Sequence, residues 1–190
     1  MITKYLNNSL MNRLIPGYSR EDISKTYKDT PFEELLCYHN LNEPFKDHEK
    51  ANLLISMCMD NRNQLLIPNN FAYILRSGGG NLRHNEFKVS YAVAVGQVKY
   101  IALIGHSQCG MVNLHQRRDL FVNGLVDNAG WDREFAEDHF NQFSPIFEIG
   151  NEIDFLLSEV KRIRGRYPKI TVAPFYYRVE DHHLYQVMED

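Results

Sequence analysis

The sequence predicts an α/β domain: a mostly parallel central sheet flanked by helices, with an N-terminal helical arm and a C-terminal antiparallel edge strand. Three observations predict it. From residue 51 onward, short apolar runs recur as continuous stretches rather than alternating ones, which suits parallel strands covered on both faces. Segments with helical spacing separate several of these runs, and alternation of that kind favours right-handed crossovers. The last run, Leu184-Tyr-Gln-Val-Met188, follows another across Glu180-Asp-His-His183, a separation short enough for a hairpin.

Residues 1–48 are polar and broken, and form the expected arm; residues 49–190 form the expected domain. Ser19-Arg-Glu-Asp22 and Thr30-Pro-Phe-Glu33 read as helix N-caps, the second with proline at the first helical position. Short helices carrying Tyr18, Tyr27, Phe32, Tyr38 and Phe45 would not hold themselves together, so the arm is expected to wrap the domain or a partner subunit. Leu53–Met57, Phe71–Leu75, Val98–Ile104 and Ile170–Ala173 with Phe175–Val179 are the expected strands. Asn85–Val95 is long enough for a helix. Ser144-Pro145 opens a further helix, in which Ile149, Ile153, Leu156, Leu157, Val160 and Ile163 follow at helical spacing until Gly165 stops it.

At 190 residues the chain is expected to form one domain with a core, and 44% hydrophobic with 24% charged residues is the balance of a soluble globular protein. A net charge of -3 argues against nucleic acid as a partner. No apolar run approaches the roughly 20 residues of a membrane helix. The stretch Met1–Asn8 lacks the apolar segment of a secretion signal, which places the protein in the cytoplasm. Three cysteines, Cys37, Cys58 and Cys109, make a poor disulfide framework; metal binding or catalysis is the better reason for conspicuous thiols. Cys37 has no ligand-like neighbour beyond His39 and is read as structural.

In parallel α/β sheets, sites form beyond the carboxyl ends of the strands. The first expected strand ends in Cys58-Met-Asp60-Asn-Arg62, the second in Arg76-Ser77-Gly78-Gly79-Gly80-Asn81, the third in Gly105-His106-Ser107-Gln108-Cys109-Gly110. If the first and third strands are neighbours, Cys58, His106 and Cys109 converge. Two thiolates and an imidazole suit zinc, and three protein ligands leave the fourth tetrahedral position open, as in catalytic sites. Asp60 and Arg62, two residues apart, point the same way in extended chain, so the guanidinium can hold the carboxylate ionised. A carboxylate beside a zinc-bound water, whose pKa falls to about 7, implies attack of zinc hydroxide on a small electrophilic carbon.

Cys-x-Asp-x-Arg after one strand, then His-x-x-Cys-Gly after another, resembles the β-class carbonic anhydrases. The resemblance spans roughly residues 50–190 and includes the Arg76–Asn81 turn, Asn151-Glu152 and the terminal hairpin. It implies zinc on Cys58, His106 and Cys109, an Asp60–Arg62 dyad, and the reversible hydration of carbon dioxide to bicarbonate. Ser77, Gly78 and Gly79 fall on the turn beside the substrate. A homodimer or higher homo-oligomer, with N-terminal helices reaching onto the neighbour, is also implied. Asn61 stands where serine is usual, and Ser77-Gly78-Gly79 where asparagine-alanine-glycine is typical. Relatives that hydrolyse carbon disulfide or carbonyl sulfide with the same zinc chemistry would carry such changes.

Two other readings compete. Gly105-His-Ser107-Gln-Cys109 could be a nucleophile elbow carrying Ser107, with Asp181 and His182 or His183 in the expected chain order. That elbow favours glycine where Cys109 stands, and leaves Cys58-x-Asp-x-Arg62 unexplained. Alternatively, Asp60 could close the coordination sphere of a non-catalytic, zinc-stabilised binding domain. Met57 and Met59 read as core filler, and His84, His115, His139, His182 and His183 show no partner pattern.

Overall fold

A computed structural model describes residues 12–189, so Met1–Asn8 and the rest of the first eleven residues of the expected arm lie outside it. One six-stranded sheet organises the chain, in the order β1-β6-β5-β4-β2-β3. Its strands are β1 (Leu14–Ile15), β2 (Leu53–Cys58), β3 (Ala72–Ser77), β4 (Tyr100–His106), β5 (Thr171–Arg178) and β6 (His183–Val187). Strands β2, β3, β4 and β5 are mutually parallel; β6 runs antiparallel to β5, and β1 antiparallel to β6. The expected apolar runs therefore became strands, the last pair as the expected hairpin.

Side chains of successive strand residues leave opposite faces, and each face has its own cover. On one face Leu53, Ile55, Met57, Ala102, Ile104 and Phe175 pack with Phe32, Leu35, Leu36 and Tyr38 of α1 (Pro31–Leu41). On the other, Leu54, Ile101, Leu103 and Val172 pack beneath α2 (Glu86–Ala94) and α5 (Glu152–Arg166). Buried Glu159 fixes α5 to the α2 side through Arg162 (3.0 Å) and Arg83 (3.3 Å), while Arg162 also meets Glu86 of α2.

Thr30 caps α1 by accepting from the Phe32 N–H (3.2 Å), as its position before Pro31 predicted. Ser19, in contrast, starts only a single 3₁₀ turn, Arg20–Asp22, closed by the Asp22 carboxylate accepting from the Ser19 N–H (2.9 Å). The arm's buried aromatics lie on this chain's own sheet: Phe32 stacks edgewise with Tyr100 and near Phe175.

Three features differ from expectation. Pro145 does not open a helix; it lies in the last turn of α4 (Arg133–Phe147), and α5 begins later, where Asn151 accepts from the Ile153 and Asp154 N–H groups (both 3.0 Å). Ile149 belongs to neither helix and instead bridges Val112 in parallel. A helical hairpin, α3 (Arg118–Ala129) and α4, stands where the sequence showed no helix. It closes on a small core of Val122, Ala136 and Phe140. Finally, β3 is an edge strand with Tyr73 and Ile74 exposed, so its apolar run does not report burial on both faces.

His39, on α1, is largely buried and accepts at Nδ1 from the Leu66 N–H (3.1 Å). Burial pushes its pKa down, to about 4. Because the folded value lies below the unfolded 6.5, the unfolded chain binds the extra proton first. Stability is therefore intact above pH 6.5 and is lost as pH falls toward 4, by ~3 kcal/mol at most. His39→Gln is expected to remove that part of the acid destabilisation; unfolding curves of variant and wild type that stay parallel from neutral to acidic pH would refute it.

Candidate metal centre

Strands β2 and β4 are neighbours, and their register pairs Met57 with Ile104, so both end at the same level. Cys58 is the last residue of β2 and His106 the last of β4. The turn after β4 returns Cys109 to the same point. The three ligand atoms lie within 4.8 Å of one another, and all three residues are buried. The geometry expected from the motifs is thus present.

The state of these side chains fits a metal. His106 Nδ1 lies 2.9 Å from the Ser107 carbonyl, a contact that puts the ring proton on Nδ1 and a lone pair on Nε2. Nε2 is buried with no hydrogen-bond partner, a costly arrangement unless it ligates. The neighbouring Cys109 thiol pulls the Cys58 pKa down, while the nearness of Cys58, with burial, pushes Cys109 up. Burial disfavours a charged His106, but the charge of nearby Cys58 and the Ser107 carbonyl favour it, and the net shift is upward. One buried thiolate among two thiols and an imidazole is a soft, closely spaced donor set of the kind zinc takes.

The glycine turn completes one side of the site. Gly79 has φ of 64°, in the left-handed region, and donates its N–H to Cys58 Sγ (3.3 Å). Gly78 is buried against Met111 and Phe147, leaving no room for a side chain without displacing them. Ser77 closes the turn by donating from Oγ to the Asn81 carbonyl (2.7 Å).

Asp60 and Arg62 form the expected pair. Arg62 Nη2 lies 2.7 Å from Oδ2 and Nε 3.0 Å from Oδ1, and the Arg62 backbone N–H adds a bond to Oδ1 (2.9 Å). These hydrogen bonds hold the Asp60 carboxyl down at about 2. Asp60 is not among the mutually close ligand atoms; its oxygens are engaged by Arg62, which opposes the reading in which it closes a coordination sphere.

Ser107 is not arranged as a nucleophile. Its Oγ donates to Glu180 (2.6 Å) and accepts from the Val179 N–H (2.9 Å), while His182 Nδ1 is engaged by the Tyr177 hydroxyl (3.1 Å). The protein is expected to resist labelling at Ser107 by a fluorophosphonate, and an adduct on that residue would restore the elbow reading. Sequence reasoning missed three supports. Arg76 donates to the carbonyls of Cys58 (3.0 Å) and Asn63 (2.8 Å), lacing down the loop that carries Asp60. Gln108, in the turn after β4, meets Glu180 of the β5–β6 turn. Arg76 sits inside a quoted motif, but Glu180 carries no local signal.

Solved structures share this architecture. A β-carbonic anhydrase isoform I from Trichomonas vaginalis matches with a TM-score of 0.61 at 16% identity, over 88% of this chain and 99% of that one. The carbonic anhydrase of Glaciozyma antarctica gives 0.60 at 19%, over 74% and 85%. The chain has the fold of the β-class carbonic anhydrases. A carbon disulfide hydrolase in its apo form shares that fold too, with a TM-score of 0.53 at 17% identity, over 99% of this chain and 92% of that one. No family model matches the sequence, and no curated protein matches it. On that fold this chain carries Cys58, His106 and Cys109, a group able to hold a metal ion.

Proposed function

We propose that this protein is a zinc-dependent enzyme that hydrates carbon dioxide reversibly to bicarbonate and a proton. The observation that carries it is the buried Cys58, His106 and Cys109 cluster, with an unpartnered His106 Nε2, beside an Asp60 held by Arg62. Cys58, His106 and Cys109 would hold the ion. Zinc there supplies a Lewis acid that brings the pKa of water to about 7. Asp60 accepts a hydrogen bond from the attacking water at a carboxylate oxygen and directs it at the substrate carbon. Arg62 keeps that carboxylate ionised and aimed, and the Gly79 N–H steadies Cys58 as thiolate. Ser77, Gly78 and Gly79 form the wall nearest the substrate.

Metal analysis paired with stopped-flow CO2 hydration, between about pH 7 and 9, tests this. Bound zinc with hydration well above the uncatalysed rate is expected, and stoichiometric zinc with no rate enhancement would sink it. The similarity to a carbon disulfide hydrolase over nearly the whole chain supports a second reading, hydrolysis of carbon disulfide or carbonyl sulfide at the same site. Release of hydrogen sulfide from those substrates, with CO2 turned over poorly, would favour it.

The same reading places the protein in a reducing cytoplasm, consistent with free thiols at Cys37, Cys58 and Cys109, and among the described residues no helix is long and apolar enough to cross a membrane. It treats residues 1–48 as an N-terminal segment and 49–190 as the metal-binding domain. It further proposes a homodimer or larger homo-oligomer; exposed Tyr73 and Ile74 on the β3 edge, with Phe87 and Tyr91 of α2, supply apolar surface for it.

A further inference from the structure

The geometry points to Gln108 and Glu180 as positioning residues: Glu180 aims the Gln108 side chain, and Gln108 locks Arg62 in the orientation that grips Asp60. This rests on the functional reading above, because it assigns a purpose to the Asp60–Arg62 pair. Gln108 lies between two metal-ligand candidates, and its φ is 58°, a left-handed conformation that an unbranched residue other than Gly, Asn or Asp seldom takes. Nothing in the turn alone requires glutamine there; glycine would fit without strain.

Its contacts explain the choice. Arg62 Nη1 donates to Gln108 Oε1 (3.1 Å) and Arg62 Nη2 donates to the Gln108 carbonyl (3.2 Å). The left-handed backbone presents that carbonyl and that side chain to one guanidinium. At its other end, Gln108 Nε2 donates to Glu180 Oε1 (2.9 Å), which settles which way round the amide points. Glu180 Oε2 accepts from Ser107 (2.6 Å). Arg62 donates to both Asp60 and Gln108, and Gln108 in turn donates to Glu180. Each donor faces an acceptor, so Arg62 has its fork on Asp60 and its remaining face on Gln108. An arginine held on two sides loses less freedom per bond formed and keeps its partner carboxylate in one place.

Gln108→Gly separates a positioning role from a merely structural one. Glycine relieves the left-handed backbone, so the melting temperature and zinc content should stay level or rise. kcat should fall about tenfold, with KM little changed. Glu180→Gln should show a similar loss, since its amide can no longer accept from Gln108 without turning away from Ser107. The double variant Gln108→Glu with Glu180→Gln exchanges the two groups and restores a donor facing each acceptor, so it should recover most of the lost kcat. A fully active Gln108→Gly protein, or a double variant no better than the poorer single, would overturn the assignment. A second readout does not depend on turnover. The Arg62 Nε–H signal in a ¹⁵N spectrum of the zinc-loaded protein should be sharp and slow to exchange in wild type, and should broaden in Gln108→Gly. If wild-type protein with zinc shows no hydration, the functional reading falls, and the positioning assignment stands or falls on that signal.

Discussion

Cys58→Ala is expected to lose zinc and CO2 hydration together. Cys58 is the only one of the three ligand candidates supplied by β2, and without it His106 and Cys109 present a single turn with two donors. Two protein ligands do not fix a tetrahedral site, so zinc content should fall to background and kcat/KM by at least about 10³-fold. The fold should survive: the sulfur is small, and the β2 backbone keeps its pairing with both neighbours. Metal content, kcat/KM and a circular dichroism spectrum measured on the same preparation separate these effects. A Cys58→Ala protein that folds and still holds one zinc per chain would remove Cys58 from the ligand set and, with it, the site as drawn.

That site was legible because its parts are tied to strand ends. A strand that is apolar throughout and stops at a reactive residue announces both a position in the sheet and a direction. Once β2 and β4 are adjacent, Cys58 and His106 have to meet. The His106–Cys109 spacing supplies the third donor within one turn. What could not be read was whatever lies far along the chain with no pattern of its own. Glu180 reaches Gln108 across 72 positions, and the sequence gives no reason to pair them.

The missed α3–α4 hairpin has a different cause. Its helices bury few residues, chiefly Val122, Ala136 and Phe140, and leave Leu120, Phe121, Phe135 and Phe143 exposed. The pattern of α3 is weakly sided and shows little helical periodicity; α4 is clearly two-sided, and its periodicity, Gly130 at a left-handed C-cap and Asp132 capping α4 were available signals. At Ser144-Pro145 the error was one of precedence. Proline suits a helix start, but the side chain that satisfies the first N–H groups of α5 is Asn151. Strand β3 shows the limit of apolar runs themselves: Tyr73 and Ile74 face outward from an edge, where apolar surface can serve an interface instead of a core.

Asp60→Asn should separate metal binding from turnover. The amide is isosteric with the carboxylate and lies outside the ligand cluster, so zinc content should remain near that of wild type. Its NH2 group, however, must face one of the donors of Arg62, which now finds an acceptor at only one of the two atoms it gripped. The side chain also loses the charge that accepts and directs a water proton. Loss of such a group costs roughly 10²-fold in kcat. Arg62→Lys provides the complementary case: it keeps a positive charge but not the two-pronged grip, so it should also retain zinc and lose activity, though less of it. If Asp60→Asn kept full activity with zinc bound, water would need no help from Asp60. Arg62, Gln108 and Glu180 would then be holding a carboxylate for structural reasons alone. If it lost zinc as Cys58→Ala should, Asp60 would act through the metal ligands and not through water.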